Sequence, residues 1–496
     1  FYFLWCGEHG RHRPYNISEI VDSDPLVGYH PDSPALGEIG TYHHWGEPFY
    51  GYYYSEDEWV IRRHMMLFCD AGIDFLYFDV TNSYIYEKNV LILMRVLQEY
   101  HDAGYRIPKI VFYTAINSKD TVQRIYDTIY RPRLYPDTWF YYNGKPLIIG
   151  YKEEYPEEIQ SFFCVKRTQW AYEPLTPDGW PWLDDFKPQR VFCNSEGEPE
   201  AINCSVAQLP QFSFGDSVLY GETANFGRSY HNGANDPDPH AYLHGYNIGE
   251  MYEWAIEADA PVVLITGWNE WIAGRWPGTE ERPVKFVDCA NQEFSRDIEM
   301  MRGGYFDNYY LQMIDFIRRF KGQPALKPAK TATWHHVPGG NLHRDSEGSG
   351  THYVNKTGRN ALRTLTVEST ADAWKVTVTA HAPLSEERSG SFIQLFWREP
   401  ETDGAAYTAR IRKDNTSADI YLLTGGDDYS VRKPLAEAHI EIGEDSVIYY
   451  LPRTEKNVLW FKACDSTYEI VSPENFYDKG DALPAGRLWA LMHGAK

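Results

Sequence analysis

The strongest constraint on the fold is a change of period partway along the chain. Up to about Lys321, short apolar runs alternate with segments in helical spacing. Beyond it the helical period vanishes and a two-residue alternation takes over. Seven runs in the first part read as strands: Phe1 to Cys6, Ile73 to Val80, Ile107 to Ala115, Trp139–Tyr142 with Pro146–Tyr151, Val165–Tyr172, Asn203–Gln208 and Pro261–Gly267. Helical spacing lies between several of them, at Asp57 to Ala71, Lys88–Ala103 and Leu243–Ala258, and again at Asn308–Lys321. Strands joined through helices pair in parallel, and near-continuous apolar strands fit a sheet buried on both faces. A stretch of about 320 residues with this rhythm suits a (β/α)8 barrel better than a doubly wound sheet. Closure needs an eighth strand, for which Val284–Asp288 is the candidate.

The Pro- and Lys-bearing stretch 322–333 reads as a linker. From 334 to 496, runs such as Leu362–Val367, Trp374–Thr379, Ser391–Trp397 and Val458–Ala463 alternate in polarity between Gly, Asp and Asn punctuation, the signature of a β-sandwich. The expected organisation is a 1–321 catalytic barrel, the linker, and a 334–496 accessory sandwich.

Composition narrows the function classes. Lys and Arg total 47 against 70 Asp and Glu, a net charge of −23, which opposes nucleic-acid binding. No apolar run reaches the roughly 20 residues of a membrane helix, so no membrane insertion is expected. Aromatic residues make up 16% of the chain, with 38 Tyr and 16 Trp, a wealth that suits either a packed core or the stacking faces of a sugar site. The seven Cys have no CxxC spacing, which argues against a zinc cluster; Cys193 and Cys204 are close enough in sequence for a local disulfide. No signal peptide opens the chain, and an exported protein is nonetheless expected.

In a parallel barrel, chemistry gathers where strands end. Glu8 and His9 follow the first strand, Asp79 and Asn82 the second, and Gln208 ends a later one. Asn269 and Glu270 follow the apolar run Val262–Ile265, inside Gly267-Trp268-Asn269-Glu270-Trp271. A carboxylate between two Trp at a buried strand end is costly unless paired or functional. The structural alternative is an ion pair with a neighbour such as Arg275. Glycoside hydrolysis usually takes two carboxyl groups. Partners for Glu270 are Glu47, Asp79, Glu8 and Asp297. Glu47 sits in an aromatic, Gly-punctuated loop with His44 and Trp45. Trp45, Trp268 and Trp271 are expected as stacking walls, and Asn269 as a ligand to a sugar hydroxyl or an orienter of Glu270. Arg228 and His231, in the polar stretch 225–235, either bind hydroxyls or order a loop. Arg296-Asp297 reads as an ion pair bracing the site. Adjacent His43 and His44 point oppositely on an extended segment, so no metal is expected, nor any cofactor.

The set His44-Trp45-Gly46-Glu47-Pro48, Gly72-Ile73-Asp74-Phe75-Leu76 and Gly267-Trp268-Asn269-Glu270-Trp271 resembles the endo-α-mannosidase-like glycoside hydrolases of family 99 and their relatives, in patches over about residues 1–320. The resemblance implies a (β/α)8 barrel that acts on α-mannosides with retention. One Glu acts as base on the substrate's own 2-hydroxyl, giving a 1,2-anhydro sugar, and a second Glu three residues on is the acid/base. Glu270 matches the first; the second position is Ala273. Three readings follow: another carboxylate supplies the acid, the mechanism differs, or the domain only binds glycan. The leading expectation is a glycoside hydrolase of an oligosaccharide or polysaccharide, and the alternative a non-catalytic glycan-binding protein.

Overall fold

The computed structural model describes residues 1–6, 15–337, 358–477 and 480–495. Two compact units emerge. The first is built from Phe1–Glu56 and Phe68–Lys321; the second takes Asp57–Leu67 and the chain from Gly322 onward.

The first unit is organised by parallel strands. Phe75–Val80, Lys109–Thr114, Lys145–Gly150, Cys164–Gln169 and Gly179–Pro181 pair in that order, all parallel. Pro199–Ser205 and Val262–Thr266 form a second parallel pair. The segment around Tyr2 joins the two groups. Tyr2 bridges Phe78, the Phe1 nitrogen donates to the Ile265 carbonyl at 2.7 Å, and Trp268 N–H donates to the Phe1 carbonyl at 2.9 Å. On the far side side chains make the join: Asn203 accepts the Asp184 N–H at 3.2 Å, and Thr266 Oγ1 donates to the Trp182 carbonyl. One core fills the enclosed space, with Phe3, Tyr77, Tyr113, Ile149, Trp180 and Leu264 all buried.

The (β/α)8 expectation therefore holds for the parallel strands and only in part for the whole. Helices Glu87–Asp102, Ser118–Ile125 and Glu157–Phe162 separate the earlier strands, and Tyr246–Ala258 precedes the last. Among the described residues no helix separates Cys164–Gln169 from Gly179–Pro181, or that strand from Pro199–Ser205. The eighth-strand candidate is corrected. Val284–Lys285 pairs antiparallel with Trp276–Pro277, outside the parallel set. The overlooked strand is Gly179–Pro181, only three residues long, and too short for its period to be read.

Why the helices form is plain from their faces. Asn308–Phe320 buries Tyr309, Tyr310, Met313, Phe316 and Ile317, the i, i+3, i+4, i+7 stripe of an amphipathic helix. Each such side chain contributes about 1.5–3 kcal/mol on burial. Arg318 and Arg319 in its last turn suit the negative end of the helix dipole.

The second unit is antiparallel throughout its main sheet of eleven strands. Its strands pair in one continuous series. Register shifts at Leu362/Thr364, Ser391/Gln394 and three places between Ile420 and Gly425 bend it, as bulges do. Leu365, Val376, Leu395, Tyr449 and Phe461 share the core it encloses. Strand Thr331–His335 begins inside the stretch read as linker. The longest strand, Asp428–Ile442, escaped the pattern because it is mostly exposed and carries Pro434 at an irregular register. All seven Cys are free. Cys193 and Cys204 are unbridged, and Cys204 is buried with its Sγ 3.6 Å from the Met251 carbonyl.

Candidate active site

The site grows from the end of strand Val262–Thr266. Gly267 N–H donates to the Arg296 carbonyl at 2.9 Å, and Ile298 and Glu299 N–H groups return to the carbonyls of Gly267 and Trp268 at 3.2 and 2.9 Å. This ladder lays Arg296 and Asp297 alongside Glu270. Space at Gly267 is tight, since a Cβ there would stand 3.0 Å from the Phe3 ring.

Glu270 is 6% exposed. Its backbone N–H donates to Asp297 Oδ1. Its carboxylate lies 3.4 Å from Arg296 Nη2, and the same nitrogen lies 3.1 Å from Asp288 Oδ1. The arginine is thus shared, with the closer contact to Asp288. Burial raises the Glu270 carboxyl well above the usual range. Asp288 adds to the rise, Arg296 opposes it, and Asp297 and Asp79 add again. Three carboxyl neighbours and burial outweigh one divided guanidinium. Burial also raises Asp79, against hydrogen bonds from Thr81, and pushes Asp297 up to about 6 against the Glu270 N–H and the charges of Arg228 and Arg296. Asp185 is likewise pushed up to about 6 by burial, with Arg296 opposing. Trp182 lies under the guanidinium, its ring 4.9 Å from the Arg296 carbon. Among the described residues no group of three or more His, Cys, Asp or Glu is arranged to hold a metal ion.

Of the residues singled out from sequence, Glu270 and Asp79 come together here, with Asp297 beside them. Glu47 does not. It lies 3.9 Å from Arg302, and its carbonyl accepts the Arg302 N–H. Glu8 lies outside the described residues. The Trp residues are corrected. Trp45 and Trp271 are fully buried and stacked, centroids 4.4 Å apart, so neither offers a face to a ligand. They hold the floor instead: Trp45 Nε1 donates to the Glu270 carbonyl at 3.1 Å and Trp271 Nε1 to Glu299 at 2.6 Å. Trp268 turns outward against Phe68 and Tyr310. There it lines an apolar cavity of about 320 Å³ with Met313 and Phe316, which none of the site carboxylates lines.

Asn269 is also structural. Its Oδ1 accepts the Phe3 N–H at 2.8 Å and its Nδ2 donates to the Phe3 carbonyl at 3.1 Å, tying the first strand to the last. His44 is buried, its ring 4.7 Å from Tyr52. Gln208 is buried and donates to the Asp184 carbonyl at 2.7 Å, fixing the loop after Trp182. Arg228 is fully buried among Trp45, Tyr305 and Tyr309, and donates to Ser295 Oγ and the Asp297 carbonyl. Asn82 is exposed and turns on itself, its side chain bonding Tyr84 N–H and Tyr86 Oη. His231 packs on Tyr246 and faces Asp236 at 3.7 Å. Arg275 is no partner of Glu270; it donates to the carbonyls of Pro31 and Gly37.

Three site members were missed: Asp288, Asp185 and Trp182. In sequence Asp288 closes the run Val284–Asp288 and looks like a strand end. The only signal for Trp182 was its place in the aromatic run Trp180-Pro181-Trp182.

No known family profile matches the chain, and no curated protein matches it in sequence. Among solved structures it is similar to the GH99 endo-alpha-mannosidase from Bacteroides thetaiotaomicron. Identity is 17% over 56% of this chain and 84% of that one, with a TM-score of 0.36. The same enzyme in complex with bis-tris-propane aligns at 18% identity over 56% of this chain and 89% of that one, again with a TM-score of 0.36. The likeness is distant and assigns no residue a role.

Proposed function

We propose that this protein is a glycoside hydrolase that works by carboxylic acid chemistry at the Glu270 cluster. The observation that carries the reading is the raised Glu270 carboxyl. It is buried at a parallel-strand end among Asp288, Asp297 and Asp79, with one arginine divided between two acids. Raising a carboxyl favours its protonated form, the form that a general acid in glycosidic cleavage needs. Glu270 donates that proton to the leaving-group oxygen. Asp288, whose side chain is 42% exposed, is the second carboxyl group, reached from solvent and held by Arg296. Asp297 positions the Glu270 backbone.

Ala273 pairs with His43 in a short antiparallel strand, and in this reading the second carboxyl is that of Asp288. α-Mannosides belong in the assay panel because the similar solved structures are described as endo-alpha-mannosidases. Glu270→Gln is expected to fold as the parent does and to lose roughly 10³–10⁴-fold in turnover. An equally active Glu270→Gln enzyme overturns the assignment.

A second reading has one observation of its own. Arg296 already occupies Glu270 at 3.4 Å, as it would in a binding protein whose acid is spent on structure. That reading predicts oligosaccharide binding with no product after long incubation.

A further inference from the structure

The carboxylates account for bond cleavage and leave an aromatic shelf beside them unexplained. Trp182 lies beneath Arg296. Its ring centroid is 5.8 Å from that of Trp170, and Trp170 runs parallel to Tyr172, with centroids 6.4 Å apart and planes 5° from parallel. The order Glu270, Arg296, Trp182, Trp170, Tyr172 is thus a continuous run of neighbours leading outward. Tyr172 is 83% exposed, where an aromatic ring gains nothing from the core. The loop that presents it is fixed. Trp170 N–H donates to Glu173 at 3.1 Å, and the Ala171 carbonyl accepts Arg190 Nη2 at 2.8 Å.

Polar atoms at the inner end point the same way. Trp182 Nε1 and Arg296 Nε and Nη1 are buried and have no partner among the described residues. Buried donors are normally satisfied, so three together call for acceptor oxygens from a ligand or from water it displaces. Charge selects the ligand. Glu270, Asp288 and Asp185 act on Arg296, with Asp297 and Asp79 acting on Glu270, and these acids outnumber Arg296, Arg228 and Arg190, so an anionic sugar meets repulsion.

We propose that Trp182, Trp170 and Tyr172 form a binding subsite for a neutral oligosaccharide, carrying the sugar units beyond the one attacked at Glu270. The proposal rests on the reading of the Glu270 cluster as a sugar site. Sugar rings lie with their C–H faces on Trp170 and Tyr172, and their hydroxyl oxygens accept from Trp182 and Arg296 at the inner end.

The test measures binding by calorimetry on Glu270→Gln, so that turnover does not consume the probe. The probes are five-unit manno-, gluco- and xylo-oligosaccharides, with oligogalacturonate as the anionic counterpart. At least one neutral probe is expected to bind, and the uronate is not. Adding Tyr172→Ala or Trp170→Ala is expected to weaken that binding roughly tenfold, the worth of one aromatic contact. Tyr172→Ala is expected to leave the melting temperature unchanged, because its ring is exposed. Tyr141→Ala, an exposed tyrosine outside the shelf, is expected to leave binding unchanged. Unaltered affinity in both shelf variants refutes the shelf while leaving the hydrolase reading intact. Shelf-dependent binding without hydrolysis by the parent enzyme sinks the hydrolase reading and leaves the shelf. Failure of all neutral probes to bind, or tighter binding of the uronate, overturns the proposal.

Discussion

Two buried clusters of acid and arginine, one in each unit, have opposite outcomes. In the second unit Asp481 is fully buried and meets Arg63 at 3.1 Å and His336 at 2.8 Å, and its other oxygen accepts the Leu362 N–H at 3.0 Å. Burial alone would raise this acid; His336 and Arg63 more than reverse it and hold it at about 2. In the first unit Arg296 serves Glu270 and Asp288 at once, with Asp297 and Asp79 adding repulsion, and Glu270 moves the other way. The lesson is one of stoichiometry. Where buried cations match acids, the acid is ionised and structural. Where acids outnumber the cation, the buried acid is pushed toward its protonated form.

The contrast can be broken at either end. The largest expected effect is the loss of roughly 10³–10⁴-fold in turnover for Glu270→Gln, against no loss for Asp481→Asn once corrected for the folded fraction, measured by hydrolysis kinetics on the responsive glycan. Next is stability. Arg63→Met should destabilise its unit by about 3–5 kcal/mol in urea denaturation, because Asp481 is left buried without its cation. Arg296→Met should cost less than half of that at about pH 4, because burial already pushes Glu270 and Asp185 toward the protonated form. Equal costs would show that Arg296 is as structural as Arg63.

The pH dependence sharpens the same point, with the sign set by each shift. Asp297 has its folded value raised to about 6, so its contribution is complete below the unfolded value near 4 and is lost as pH climbs through 6. Asp297→Asn should therefore remove a decline on the order of 3 kcal/mol between about pH 4 and 6. Asp481 has its folded value depressed, so its contribution is present above about 4 and is lost as pH falls through about 2. Asp481→Asn should abolish that acid-side loss, on the order of 2 kcal/mol. The smallest effect belongs to Asn82→Ala. An exposed turn residue outside both clusters should change stability by less than about 0.5 kcal/mol and leave turnover alone.

How far the site could be read depends on what kind of signal each residue gives. Glu270 was legible because a charged residue at the end of an apolar strand breaks a local pattern. Asp79 was legible for the same reason. Their surroundings were not. Arg296 reaches Glu270 across 26 positions of chain, through a backbone ladder that no period announces. The Trp residues show the opposite failure. Residue type suggested stacking walls, but whether a ring faces a cleft or a core depends on how the chain turns after the strand. Trp45 and Trp271 turned inward. Tyr172, unremarkable in sequence, turned out.

The sequence by itself determined the parallel, strand-rich first unit, the antiparallel second one, and Glu270 as a residue with a reason to be where it is. Those properties are local: apolar periods, breaker residues, a charge out of place. Tertiary structure alone decided which acids share Arg296, which Trp residues became floor, and that Gly179–Pro181 rather than Val284–Lys285 joins the parallel strands. The reason is physical. Burial and charge balance are properties of neighbours in space, and a carboxyl's proton depends on them more than on any residue beside it in the chain.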